Sequence, residues 1–176
     1  MLAPSTIVCS LLLSCLTVAI IYTDTRYRRI PNKLVLVTLL GGLSINTYFG
    51  GPWGLLLSLG GFAFAFALML LFHVFGAMGA GDVKLFGAVG SIVGVSLVLP
   101  TLLVVALVGG ALAFCKMLYT RTAGTTLLNV AQIFLGRLSG AGAPRLAAAT
   151  ADRRRSIPYG VAVCVGSLIS LFVFRA

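Results

Sequence analysis

Apolar residues run in long blocks along this chain, over residues 5–23, 34–50, 53–75, 83–99, 101–119 and 157–174, and polar residues collect in the gaps. Each block approaches the ~20 residues that a helix rising 1.5 Å per residue needs to cross a hydrocarbon core of about 30 Å. Such blocks must be helical, because lipid offers no partner to an unpaired backbone N–H or C=O. Gly50-Gly51-Pro52 separates the second block from the third, and Pro100 separates the fourth from the fifth. Both breaks predict tight hairpins. Between 120 and 157 the apolar positions Leu127, Leu128, Val130, Ile133, Phe134, Leu135 and Leu138 form a mostly one-sided pattern, too short and interrupted to span. A helix lying along the membrane surface fits it, with "GAGAPRLAAAT" as a flexible connector. The pattern therefore predicts an all-α membrane protein: a bundle of about six transmembrane helices, an interfacial helix in the 120–157 loop, and one polytopic domain over 1–176. The first block has no basic residue before it and no small-residue cleavage site, and reads as a retained span instead of a signal peptide.

Composition sharpens this picture. Apolar residues make up 60% of the 176 and charged residues 9%, and the mean hydropathy is +1.12. Soluble domains carry roughly a quarter charged residues, so a water-exposed globule is excluded. The net charge of +10 would suit nucleic acid, yet the basic residues form no stripe on a soluble domain, and no nucleic acid partner is expected. With six spans, twelve of the 13 Lys and Arg residues share one face, and Arg175 alone falls on the other. The positive-inside bias makes the shared face cytoplasmic and leaves both termini outside. Arg153-Arg154-Arg155 reads as a lock on that topology, touching anionic headgroups. Tyr22, Tyr27, Tyr48, Trp53, Tyr119 and Tyr159 fall at predicted span edges, where amphipathic rings belong. Cys9, Cys15, Cys115 and Cys164 sit singly in apolar runs and read as small buried hydrophobes, not as a disulfide or zinc site.

The acids carry the candidate chemistry. The chain has no glutamate and three aspartates, Asp24, Asp82 and Asp152. Asp24 ends the first span and Asp82 begins the fourth, so both meet the same predicted boundary. An aspartate at mid-bilayer costs about 2.5–3.5 kcal/mol on insertion scales, and less near the interface. Two carboxylates brought together cannot both ionise easily. One then stays protonated and polarises a carbonyl while the other activates water, as in aspartic proteases. No metal or cofactor is needed. Asp152 reads as a solvated loop acid, and the single His73 as a hydrogen-bonding residue within the bundle. Gly79 and Gly81 in "GAGDVK" remove Cβ atoms beside the acid, which would let a substrate backbone approach. Lys84, two residues from Asp82, reads first as a topology anchor.

Three stretches together carry a family resemblance: "DTRYRRIPN" (24–32), "GAGDVKLFGAVG" (79–90) and "IPYGVAV" (157–163). The chain resembles the type IV prepilin peptidases, membrane aspartic proteases of the GxGD class, in the short form serving Flp-type (tight adherence) pili. The resemblance implies an inner-membrane endopeptidase with catalytic Asp24 and Asp82. Its partner would be a pilin or pseudopilin precursor, whose basic leader is removed on the cytoplasmic side. It also marks Gly79, Gly81, Lys84, Pro31 and Asn32 as substrate-binding or site-shaping positions. The cysteine-containing region of longer members is missing, so N-methylation is not expected here. The last motif reads Ile-Pro-Tyr-Gly-Val where the family pattern has Phe and a second Pro. Two other readings compete: a small membrane transporter, for which no mid-depth acid or repeat is found, and a non-enzymatic assembly scaffold, which has no need of two level acids.

Overall fold

A computed structural model describes residues 4–27, 31–75, 78–119 and 159–174. The described residues form five α-helices, α1 (Pro4–Tyr27), α2 (Asn32–Val74), α3 (Ala80–Val93), α4 (Val98–Tyr119) and α5 (Tyr159–Phe174), with a 3₁₀ turn at Val95–Leu97. No strand occurs among them. The interfacial helix expected between 120 and 157 lies outside the described residues. The chain groups into two compact units, Met1–Gly109 with Pro158–Ala176, and Gly110–Ile157. Of the second, the described part is the continuation of α4 to Tyr119.

Three helical segments, Pro4–Thr23, Asn32–Val74 and Val95–Cys115, are long and apolar enough to cross a membrane. The longest is two limbs joined at Gly51, whose φ of 58° and ψ of −149° leave the helical region. A Cβ at Gly51 would meet no atom within 4 Å, so the backbone conformation, not crowding, calls for glycine. Pro52 follows, without the N–H that would continue the ladder. The second limb folds back so closely that a Cβ on Gly54 would lie 2.9 Å from the Asn46 carbonyl carbon. The predicted first hairpin is therefore present. Exposed Tyr48 and Trp53 flank it.

The second break is displaced from its predicted position. α3 ends at Gly94, whose φ of 78° disfavours any residue with a Cβ, and the 3₁₀ turn leads directly into α4. Pro100 is absorbed in the first turn of α4, where the missing N–H has no intrahelical acceptor to lose. This shortens the fourth apolar block to a helix of 14 residues, roughly 21 Å long. α5 is apolar and 16 residues long, also under a full ~30 Å crossing.

α3 is the centre of the first unit. From Val83 to Val93 every residue except Lys84 is buried, with both limbs of α2 against it and α5 alongside. Within lipid the apolar effect gives little drive for helices to associate, and close packing of small residues supplies it instead. A Cβ on Gly90 would meet Ala65 Cβ at 2.6 Å, and one on Gly61 would come within 2.9 Å of the Gly94 carbonyl carbon. A second seam joins α4 to α5 at four-residue steps. Thr101 and Ser170 share a hydroxyl hydrogen bond of 2.7 Å, a Cβ on Gly166 would lie 2.7 Å from Val105 Cα, and one on Gly109 would lie 3.5 Å from Ala162 Cβ. Descending order on one helix against ascending order on the other makes the pair antiparallel.

Some buried hydroxyls bond back to their own helices, as Thr17 Oγ1 does to Leu13 O at 2.6 Å and Thr38 Oγ1 to Leu34 O at 2.8 Å, which satisfies those donors in an apolar medium. Cys9 and Cys164 are buried as expected, whereas Cys15 and Cys115 are exposed. An apolar block carries no mark of which helix face meets protein and which meets lipid.

Candidate active site

Asp82 enters on the first turn of α3, after the helix start at Ala80. Gly79 is the N-cap, in an extended conformation (φ −75°, ψ 146°), and its carbonyl accepts from the N–H groups of Asp82 (3.1 Å) and Val83 (3.3 Å). The carboxylate folds back over this turn: a Cβ on Gly79 would lie 3.1 Å from Asp82 Oδ2. The absent side chain thus makes room first for the acid itself, a different reason from the predicted access for a substrate backbone. An acid here also faces the positive end of the helix dipole. Gly81 lies in the same turn, half-buried.

The approach to this turn is fixed from α2. The imidazole of His73 donates Nδ1–H to the Met78 carbonyl, 2.8 Å away, tying the last turn of α2 to the residue before Gly79. Sequence reasoning gave His73 a bond within the bundle and missed its place beside the acid-bearing turn. Tyr159, predicted as an interfacial ring, is half-buried and packs against the core. Its ring packs on Gly109, where a Cβ would meet Cε2 at 3.1 Å.

Asp24 is in the last two turns of α1; its side chain lies outside the described residues. Thr23 Oγ1 accompanies it, bonded to the Ala19 carbonyl at 2.9 Å. Cys9, Leu13, Leu16 and Ile20 are buried at three- and four-residue steps, which marks the packed face of α1. The end of α1 is bound to the start of α2 by chain connectivity. Tyr27 and Pro31 are four residues apart, hence at most about 14 Å. Pro31 caps α2, its carbonyl accepting from the N–H groups of Leu34 (3.0 Å) and Val35 (3.4 Å).

Asn32, the first residue of α2, lies in a pocket of about 220 Å³ with Lys84 of α3; Val35, Leu36, Leu39, Phe62 and Phe66 form the rest of its lining. The structure therefore unites two predicted site residues, Asn32 and Lys84, and brings the ends of α1 and α3 that carry Asp24 and Asp82 to the same end of the helical unit. It separates Lys84 from Asp82: two residues along a helix is a turn of roughly 200°, so the lysine and the carboxylate leave α3 on opposite sides. No group of His, Cys, Asp and Glu with metal-ligand geometry occurs among the described residues.

A model of the type IV leader peptidase family matches residues 11–114, more than half the chain and inclusive of Asp24, Asp82 and both limbs of α2. The chain belongs to this family, which makes it a membrane protein of protease type. No curated protein matches it significantly, and no solved structure does.

Proposed function

We propose that this protein is an aspartic endopeptidase of the bacterial inner membrane that removes the basic leader of type IV pilin-like precursors, with Asp24 and Asp82 as its catalytic pair. The observation that carries the reading is family membership over the stretch that contains both acids. Their common end of the helical unit supports it. One carboxylate, ionised, takes a proton from water as the oxygen attacks the scissile carbonyl. The other, protonated, gives its proton to the carbonyl oxygen. Collapse of the tetrahedral species breaks the C–N bond, with a proton passing to the departing amine. The products are a leader carboxylate and a new amino terminus on the precursor's apolar helix.

In this reading the two limbs of α2 and the other four helices make six crossings, the acids face the cytoplasm and both termini lie outside. Arg26, Lys33 and Lys84, all exposed at the acid-bearing end, fit that orientation under the positive-inside bias. Peptide hydrolysis is the whole of the proposed chemistry, without N-methyl transfer. The test is reconstitution of the purified full chain in vesicles with a precursor bearing a basic leader and an apolar helix. Mass spectrometry of the products should show a single cut before the apolar helix. An intact precursor after prolonged incubation would leave the scaffold reading standing.

A further inference from the structure

We infer that the furrow between the first limb of α2 and α3 is a binding site for one anionic phospholipid, with the phosphate at Lys84 and Asn32 and an acyl chain along Leu36, Leu39, Phe62 and Phe66. The site does not depend on the peptidase reading.

The furrow has two chemistries in a fixed order. Asn32 and Lys84 are its polar lining residues, and the remaining lining is apolar. A lysine is a compact, strongly hydrated charge with three donors, suited to a phosphate, and the Asn32 amide adds donors beside it. Lys84 thus sets a cationic residue beside a mostly apolar wall.

That wall is firm. The rings of Phe62 and Phe66 stack with centroids 5.8 Å apart at 26°. Phe66 also closes on Gly87, where a Cβ would lie 3.2 Å from its ring. The seven-residue step from Asn32 to Leu39 places the apolar end about 10 Å deeper along the helix than the polar end. This is the relation of a headgroup to the first part of its chain.

The position argues for lipid over peptide. Lys84 leaves α3 on the side opposite Asp82, so a peptide held at the carboxylate is not led into the furrow. The outer rim continues into exposed apolar side chains of the same limb, with Leu36 54%, Val37 51% and Leu40 52% accessible. In a chain that spans a membrane, this surface meets acyl chains. Lys33 and Arg26, exposed at the same end, add to the attraction for anionic headgroups.

The chain's one tryptophan, Trp53, lies at the far end of the limb, so a fluorescent reporter can be moved to the rim. The full chain carrying Trp53→Phe and Leu40→Trp, at an exposed position outside the furrow lining, is reconstituted in phosphatidylcholine vesicles. Brominated-acyl phosphatidylglycerol or brominated-acyl phosphatidylcholine is then titrated in. Half-quenching is expected at about fivefold lower mole fraction of the anionic lipid, the preference one lysine supplies near the surface. Lys84→Gln should abolish the preference and Lys84→Arg should retain it, which separates lost charge from a damaged fold. Equal quenching by the two lipids would overturn the proposal, as would a preference that survives Lys84→Gln. Relief of quenching by the precursor peptide at equimolar ratio would assign the furrow to peptide and overturn it equally.

Discussion

The side-chain amide of Asn46, on the first limb of α2, donates to the Ser91 carbonyl of α3 at 2.8 Å. The same nitrogen reaches the Ile92 carbonyl at 3.1 Å. From the second limb, Ser58 Oγ donates to Ser91 O at 2.5 Å. α3 stops at Gly94, so its last carbonyls have no partner within the helix. The two limbs supply one and hold the buried helix in register, with Asp82 at its other end.

Asn46→Leu should accordingly destabilise the fold by about 1–3 kcal/mol, because it removes both amide hydrogen bonds to the end of α3. Ser58→Ala should cost less, since Asn46 still serves Ser91 O. Thermal unfolding in detergent checks both, and equal midpoints for Asn46→Leu and the native chain would show that the clasp is idle.

The glycine seam predicts an opposed pair of alanine effects. Gly90→Ala drives a methyl into Ala65 and the Gly61 backbone and should cost about 1–3 kcal/mol as overpacking. Gly50→Ala meets open space at a position without positive φ. It should be neutral or stabilising by up to ~1 kcal/mol. A comparison of midpoints decides, and similar losses at both positions would contradict the packing described.

Gly79→Ala should act on the acid and spare the fold. The new methyl would press on Asp82 Oδ2 at a turn exposed to solvent, so the unfolding midpoint should move little. Displacement of a catalytic group by a fraction of an ångström to 1 Å can cost up to ~10²-fold in rate. Cleavage kinetics at saturating precursor should show the loss in kcat. A native rate with a native midpoint would remove Gly79 from any role in placing the carboxylate.

His73→Phe keeps a ring and removes the Nδ1–H bond to the Met78 carbonyl. His73 is exposed, so about 0.5–1.5 kcal/mol of stability is at stake, with a parallel fall in cleavage rate if the bond steadies the turn before Gly79. Hydrogen exchange at the start of α3 should quicken in the variant, and unchanged exchange there would confine His73 to the α2 terminus.

Much of this architecture is legible in the sequence because lipid imposes it: apolar blocks must be helical, and Gly51-Pro52 announces its turn through the conformation glycine permits and proline enforces. Pro100 misled because proline breaks a helix only in its interior, and here it opens one; the stop at Gly94 is one glycine among 21. The helix ends bearing Asp24 and Asp82 could be assigned a common level by counting spans. The furrow uniting Asn32 with Lys84, the clasp of Asn46 on Ser91 and the seat of Tyr159 on Gly109 join positions remote in the chain. Nothing local in their sequence neighbourhoods signals those contacts. The faces of Cys15 and Cys115 were illegible for a related reason, since apolar residues suit protein and lipid alike.

The claim that Asp24 and Asp82 work as one catalytic unit is tested most directly by cleavage rates of Asp24→Asn, Asp82→Asn and the double variant in vesicles, each first shown to keep the native unfolding midpoint. Loss of either ionisable group should slow hydrolysis by about 10²–10⁴-fold, and the double variant should be no slower than the slower single one, as for residues that act together. Processing at the native rate by either single variant would contradict the account.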